Sequence, residues 1–261
     1  MSEREPTLIE RSLRGAYINV PPLAAGLCSI CTAPTSGPDY SRCFLCDQHI
    51  AGGTPLATSV VSFAWAPMAA TSGYSGQAYL DLRQYKEPGA SGEHVARLLG
   101  LLLLTFANHS TCLLPAEPGM PYLLAHIPST RGDRQGEHPI QSHFLSRFRP
   151  EIPRVVPEFV GTAGGNRNDR RRLNPDNWHI PLDQVGDAKR ALIVEDTWVS
   201  GGHAQSVAAA FEQLGIRTRV LVLGRALDPS RKDHGGYLRA HPDPPPFDIR
   251  YCPVHRTVHP A

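Results

Sequence analysis

The chain has 261 residues, 41% of them hydrophobic and 19% charged, with a net charge of +2. That length accommodates one substantial domain with a small module attached, and the composition excludes a disordered, fibrous or collagen-like chain. A charge so near neutral gives no bulk attraction to nucleic acid or to an anionic membrane, although Lys86, Lys189 and Lys232 are the only lysines and arginine supplies the remaining basic residues.

The opening Met1-Ser2-Glu3-Arg4-Glu5 holds two acids and no apolar stretch, unlike a secretory signal. The longest apolar run, residues 98–107, is shorter than the roughly 20 residues a membrane span needs. A soluble, cytoplasmic protein without membrane insertion is expected. Residues 1–54 read as an N-terminal arm and a cysteine module. Cys28-x2-Cys31, eleven intervening residues and Cys43-x2-Cys46 make two knuckles around a Pro/Gly/Ser turn. Two-residue spacing aims both thiolates of a knuckle at one ion, and two knuckles complete a tetrahedral shell closed to water, hence structural. Zn2+ is the expected ion; an iron centre has the same ligands, and paired disulfides would require an exported chain. His49, three residues past Cys46, is expected on an exposed loop.

Residues 55–228 read as the main domain. Segments 58–65 and 78–83 are short and rich in β-formers, which predicts neighbouring strands. With Ser91 as N-cap, residues 91–108 predict a buried helix, and Cys112 beyond it a buried thiol. A buried strand at 122–127, a polar loop, an amphipathic segment at 140–148 and an extended stretch at 154–160 follow. Strand 190–195, a Gly-containing turn, helix 204–214 and strand 218–223 complete the clearest unit. Apolar strands alternating with helices predict an α/β fold, a mostly parallel sheet with helices on both faces, plus the small N-terminal zinc-binding module. The Pro-rich tail, 229–261, carries Cys252-x2-His255-x3-His259; lacking an obvious fourth ligand, it reads as a loosely packed tail rather than a metal site.

The chemistry concentrates where strand 190–195 ends in Glu195 and Asp196. Ligands of open parallel sheets bind at the carboxyl ends of strands, beside helix N-termini that attract anions. Gly201 and Gly202 permit close approach of the backbone to a phosphate, and Ser200 and His203 add side-chain donors. Two carboxylates would repel that phosphate and instead suit vicinal hydroxyls, so the segment fits a ribose 5-phosphate.

The run Leu192-Ile193-Val194-Glu195-Asp196-Thr197-Trp198-Val199-Ser200-Gly201-Gly202 resembles the phosphoribosyl-diphosphate signature of type I phosphoribosyltransferases. With the four-cysteine module ahead of it, and Tyr85-Lys86-Glu87-Pro88-Gly89 before a leucine-rich helix, the chain resembles the competence-protein ComF family. That resemblance implies transfer of a 5-phosphoribosyl group from phosphoribosyl diphosphate, with Mg2+, to a nitrogen acceptor such as a nucleobase or amine. By the same resemblance, Glu195 and Asp196 are the catalytic acids, and Thr197, Val199, Ser200, Gly201, Gly202 and His203 hold the 5-phosphate. Ser129, Thr130 and Arg131, with Lys86, would hold the diphosphate, and a mobile loop containing Arg170 and Arg171 would close over it. His203 stands where the family places Thr or Ser, and only Gln141 remains of an Arg-Gly-Phe-Asn-Gln element. The family equally implies an alternative, a non-catalytic accessory protein in DNA uptake or nucleic-acid handling that binds a phosphoribosyl ligand. A homodimer and competence-machinery partners fall within the resemblance too.

Overall fold

Alternation along the buried strands sorts the interior into two cores. On one strand Ala191 and Ile193 face one way while Leu192 and Val194 face the other; on its neighbour Val220 and Val222 oppose Leu221 and Leu223. Both faces are therefore apolar, as a parallel sheet covered on both sides requires. The computed structural model describes residues 7–71, 73–87, 91–114, 121–128, 152–161 and 172–259, with Ile140 and Leu145 singly.

In chain order the elements are α1 (Leu8–Ala16), α2 (Phe44–Ala51), β1 (Ser59–Pro67), α3 (Gln77–Gln84), α4 (Gly92–Leu113), β2 (Tyr122–His126), β3 (Arg154–Val155), β4 (Glu158–Phe159), β5 (Trp178–His179), α5 (Leu182–Val185), β6 (Arg190–Trp198), α6 (Gly202–Gln213), β7 (Arg217–Leu227), α7 (Lys232–Ala240), β8 (Tyr251–Cys252) and β9 (Thr257–Val258). A five-stranded sheet runs β1-β7-β6-β2-β3, every neighbouring pair parallel. Antiparallel pairs β4-β5 and β8-β9 stand apart from it. One core holds Val207, Ala208 and Phe211 of α6 together with Cys28, Cys31, Cys43 and Cys46, so the cysteine module is buried against the sheet. The other holds Leu13 of α1, Leu82 of α3 and Leu98, Leu101, Leu102 and Phe106 of α4.

Five expectations change, the first being that Cys112 lies within α4 and is only partly buried. Residues 78–83 lie in helix α3, because Ala78, Asp81, Leu82 and Tyr85 are buried at a spacing of three and four, the helical period. The strand carrying Glu195 continues to Trp198, because β7 stays beside it that far. His49 is buried on α2, not exposed. The tail is ordered: α7 and the β8-β9 hairpin pack on the domain, and Cys252 is fully buried. Segment 140–148 lies outside the described residues except for Ile140 and Leu145, both buried.

Among the described residues α4 alone is long and apolar enough to cross a membrane. In this fold its apolar face is core, and that face also carries Arg97. The Arg97 guanidinium donates from Nε and Nη2 to the two oxygens of Asp81, each at 2.7 Å, and its Nη1 meets Glu93. Asp81, fully buried on α3, also accepts from the Tyr17 hydroxyl at 3.0 Å and the Gln77 amide at 2.8 Å, with His94 Nδ1 at 2.7 Å. Desolvation works against this carboxylate, yet the Arg97, His94 and Gln77 hydrogen bonds hold it below the ordinary range. The network locks α3 and α4 to Tyr17, just after α1. At Gly224 on β7 an added Cβ would lie 2.4 Å from Leu82 Cδ1, so Leu82 of α3 packs directly over this glycine and would have to shift for a larger residue.

Removing one partner of a buried ion pair leaves the other charge uncompensated, typically at about 3–5 kcal/mol. Asp81→Ala should lower unfolding free energy by that amount in urea titration, whereas Glu93→Ala, which removes an exposed partner, should change it by less than about 1 kcal/mol.

Candidate functional site

The carboxyl ends of β6 and β7 carry the candidate site. Asp196 is buried, and two neighbours from just beyond α3 reach its Oδ2: the Tyr85 hydroxyl donates at 2.6 Å, and Lys86 forms an ion pair with the same oxygen. Glu195 is half-buried. Desolvation pushes its carboxyl well above the usual range, and the negative charge of Asp196 adds to this, with Lys86 opposing. The two carboxyl groups also share a hydrogen bond. The surroundings therefore favour the protonated form of Glu195, while Tyr85 and Lys86 both reach Asp196 Oδ2.

Beyond the pair, Thr197 and Trp198 complete β6, Val199 and Ser200 bend, and Gly201 caps α6 with φ +79°. An added Cβ at Gly201 would lie 2.1 Å from Cζ2 of the Trp198 ring. The glycine is thus required by its left-handed backbone and the indole beside it, not only by room for a phosphate. No side chain caps α6 and no acid sits in its first turn; the Gly202 N–H donates weakly to Ser200 Oγ at 3.4 Å. This helix start carries a positive dipole end toward the site. His203, partly buried, sets its ring edge-on to Trp178 of β5 with centroids 6.1 Å apart. The Asn174 N–H donates to Ser206 Oγ at 2.8 Å, fixing the approach to β5 against α6.

Arg225 was not singled out from the sequence. It is 2% exposed, and its Nη1 donates to the carbonyls of Trp198 (2.8 Å), Val199 (3.0 Å) and Ala226 (2.6 Å), pinning the loop from beneath. Its signal was a charge beyond the apolar run 220–223, in the C-terminal part of a strand whose other arginines, Arg217 and Arg219, stand at its start. Tyr85 was missed as a ligand of Asp196, although it adjoins Lys86. The structure thus brings Tyr85, Lys86, Glu195 and Asp196 together and sets the 197–203 loop directly after them. Ser129, Thr130, Arg131, Arg170 and Arg171 lie outside the described residues; β4 and β5 flank the segment containing the last two.

The second centre is the cysteine cluster. Cys28, Cys31, Cys43 and Cys46 are all buried, unpaired as disulfides, with sulfurs within 4.8 Å of one another. Cys31 and Cys43 sulfurs are 3.7 Å apart, and the edge of a tetrahedral ZnS4 shell built from 2.3 Å bonds is about 3.8 Å. The Cys31 N–H donates to the Cys28 sulfur, and Thr32, at φ +62°, returns its N–H to the Cys28 carbonyl at 3.0 Å. Arg225, Arg231 and Arg256 all lie within electrostatic reach of these sulfurs. The donor set and its spacing are compatible with structural zinc.

Because native Glu195 holds its proton above the pH at which the unfolded chain releases it, the parent's stability should fall from about pH 5 upward. Glu195→Gln mimics the neutral acid and escapes that loss. Its melting temperature should exceed the parent's by a few degrees at pH 7.5, with the gap closing at pH 4.5, as read by thermal denaturation across pH. Comparison of the chain with family models, curated proteins and solved structures returns no match.

Proposed function

We propose that the chain is a type I phosphoribosyltransferase-like protein of the ComF kind, which binds phosphoribosyl diphosphate with Mg2+ and transfers the 5-phosphoribosyl group to a nitrogen acceptor. The observation that carries this reading is the acid pair two residues before the carboxyl end of a central parallel strand, which a glycine-started helix with no side-chain cap follows. In this reading the first turn of α6, with Ser200 and His203, seats the 5-phosphate. Asp196 accepts ribose hydroxyls and favours positive charge developing at C1. Lys86, which neutralises Asp196 in the absence of ligand, turns toward the arriving diphosphate and leaves Asp196 for the hydroxyls. Mg2+ would supply charge neutralisation on the departing diphosphate through its oxygens. Zinc fills the four-cysteine shell and fixes the module to the sheet. Free thiols belong in a reducing, cytoplasmic setting. The Lys86–Asp196 ion pair also favours a second reading, a sensor that binds the ligand without turning it over.

Isothermal titration with phosphoribosyl diphosphate and Mg2+, joined to an assay of released diphosphate over a panel of bases and amines, tests the reading. Asp196→Asn should cut turnover by about 100-fold or more, with a much smaller change in binding. Ser200→Asp separates binding from folding. A carboxylate beside the α6 N-terminus stabilises the helix by about 0.3–1 kcal/mol, so the variant should melt no lower than the parent. It should nevertheless lose ligand affinity by at least about tenfold through repulsion of the phosphate. Undiminished binding by Ser200→Asp would move the phosphate elsewhere; binding without transfer to any acceptor would leave the sensor.

For the cysteine centre, Cys28→Ser and Cys46→Ser should each remove one equivalent of copurified zinc and unfold the module, since structural zinc supplies folding free energy directly. Metal analysis and near-ultraviolet circular dichroism read both effects. Unchanged zinc content in both variants would place the ion elsewhere.

A further inference from the structure

The tail ligands that lack a fourth partner in the sequence acquire one in space. Cys112, near the end of α4 and partly exposed, lies with Cys252, His255 and His259 so that one ligand atom from each falls within 4.8 Å of the others. We propose that these residues form a second structural zinc site of Cys2His2 type, which fastens the C-terminal hairpin to α4. The proposal needs no part of the transferase reading.

The distances suit the ion. With Zn–S near 2.3 Å and Zn–N near 2.05 Å, a tetrahedral shell has S···N edges of about 3.6 Å and N···N edges of about 3.3 Å. Cys252 Sγ lies 3.5 Å from His255 Nδ1, and His255 Nδ1 lies 3.0 Å from His259 Nε2. Cys112 Sγ lies within 4.8 Å of the Cys252 sulfur and of both imidazole nitrogens. Two thiolates and two imidazoles close the shell with borderline-soft ligands, leaving no open position for substrate.

The backbone supplies an independent argument, because the tail turn repeats the turn at Cys28. In both, the second ligand follows the first by three residues, and the next residue adopts a left-handed φ, +62° at Thr32 and +55° at Arg256. In both, that residue's N–H donates to the first ligand's carbonyl, Thr32 to Cys28 at 3.0 Å and Arg256 to Cys252 at 2.7 Å. In both, amides within the turn donate to the first sulfur: Cys31 to Cys28, and Val254 and His255 to Cys252. The cross-strand bridges also match, Leu27 with Pro34 in one and Tyr251 with Val258 in the other. A left-handed non-glycine residue costs free energy, and N–H groups aimed at sulfur stabilise a thiolate; both features belong to a metal knuckle rather than to an arbitrary hairpin.

The surroundings hold the remaining ligands in place. His109 leaves helical geometry (φ −132°) three residues before Cys112, inside α4. Its Nε2 donates to the Ile249 carbonyl at 2.8 Å, and its ring stands edge-on to His259 with centroids 5.5 Å apart. The tail is tied down upstream as well, where Asn19 exchanges two hydrogen bonds with the Asp248 backbone.

The test is a metal count on the untagged full-length chain. Two zinc ions per chain are expected, one for each cluster of four ligands. His255, exposed, can be changed with little risk to folding: His255→Ala should halve the zinc content, and His255→Cys, which keeps a ligand, should restore it. Cobalt-substituted parent should show thiolate-to-metal absorption from six Co–S bonds and His255→Ala from four, the number the N-terminal cluster alone provides. A parent chain with one zinc, an identical count in His255→Ala, or a disulfide between Cys112 and Cys252 on mass mapping would each overturn the proposal. Loss of phosphoribosyl-diphosphate binding alone would bear only on the transferase reading.

Discussion

The buried guanidinium of Arg225 is the constraint on which the candidate site depends. Taking an isolated charge out of water costs several kcal/mol, so such a group persists only where the fold surrounds it with acceptors and opposite charge. Three carbonyls converge on one of its nitrogens, and two of them, those of Trp198 and Val199, begin the loop that leads to Gly201. The cysteine cluster lies close by, with Cys31 in the field of this arginine, and in the zinc-loaded form proposed above it would supply the opposite charge. With zinc bound as proposed, four thiolates around the dication would carry a net charge of −2, and Arg225, Arg231 and Arg256 stand around them. The N-terminal module is therefore part of the electrostatic support of the loop.

The opposite face of the sheet positions the other half of the site by a different ionic device. Asp81 and Arg97 fix α3 against α4, and Gly224 lets α3 approach β7 closely enough for Leu82 to pack there. One turn beyond Leu82, Tyr85 and Lys86 arrive at Asp196. A polar network satisfied at every member gives a unique arrangement, and here it holds two donors against one carboxylate oxygen.

What the sequence disclosed and what it hid follow from the range of the interactions. The four cysteines, the acid pair and the β6-α6-β7 unit were legible because their signals are local: spacing, apolar runs and a Gly-rich turn. Residues 78–83 misled because Tyr79, Leu80 and Leu82 favour either state, and the helical period becomes clear only when buried Asp81 is counted among the inward positions. No local rule marks a charged residue as core; its partner, Arg97, lies on another element. Arg225 was hidden for the same reason, two of its three acceptors being the Trp198 and Val199 carbonyls at the end of β6, far along the chain. Cys112 read as an ordinary buried thiol because its companions lie in the tail, far along the chain.

The two supports make the site separable into parts. The face built on α3 and α4 sets the charge at Asp196, since Tyr85 and Lys86 are its donors. The face built on the cysteine module sets the backbone course of the loop, since Arg225 holds the carbonyls there. A disturbance of the Asp81 network should therefore change how Asp196 is neutralised while the Trp198–Gly201 backbone keeps its course. Loss of the cysteine cluster should act the other way, releasing Arg225 from its counter-charge and the loop from Arg225 while Lys86 still faces Asp196. Arg256 extends the second line of support into the tail: it directly follows His255, its Nη1 is buried without a hydrogen-bond partner, and it lies in the field of Cys28 and Cys31. Burial works against this charge, and Tyr251 with the Cys28 and Cys31 sulfurs favours it, so the tail turn and the loop both place an arginine in reach of the same cysteine cluster.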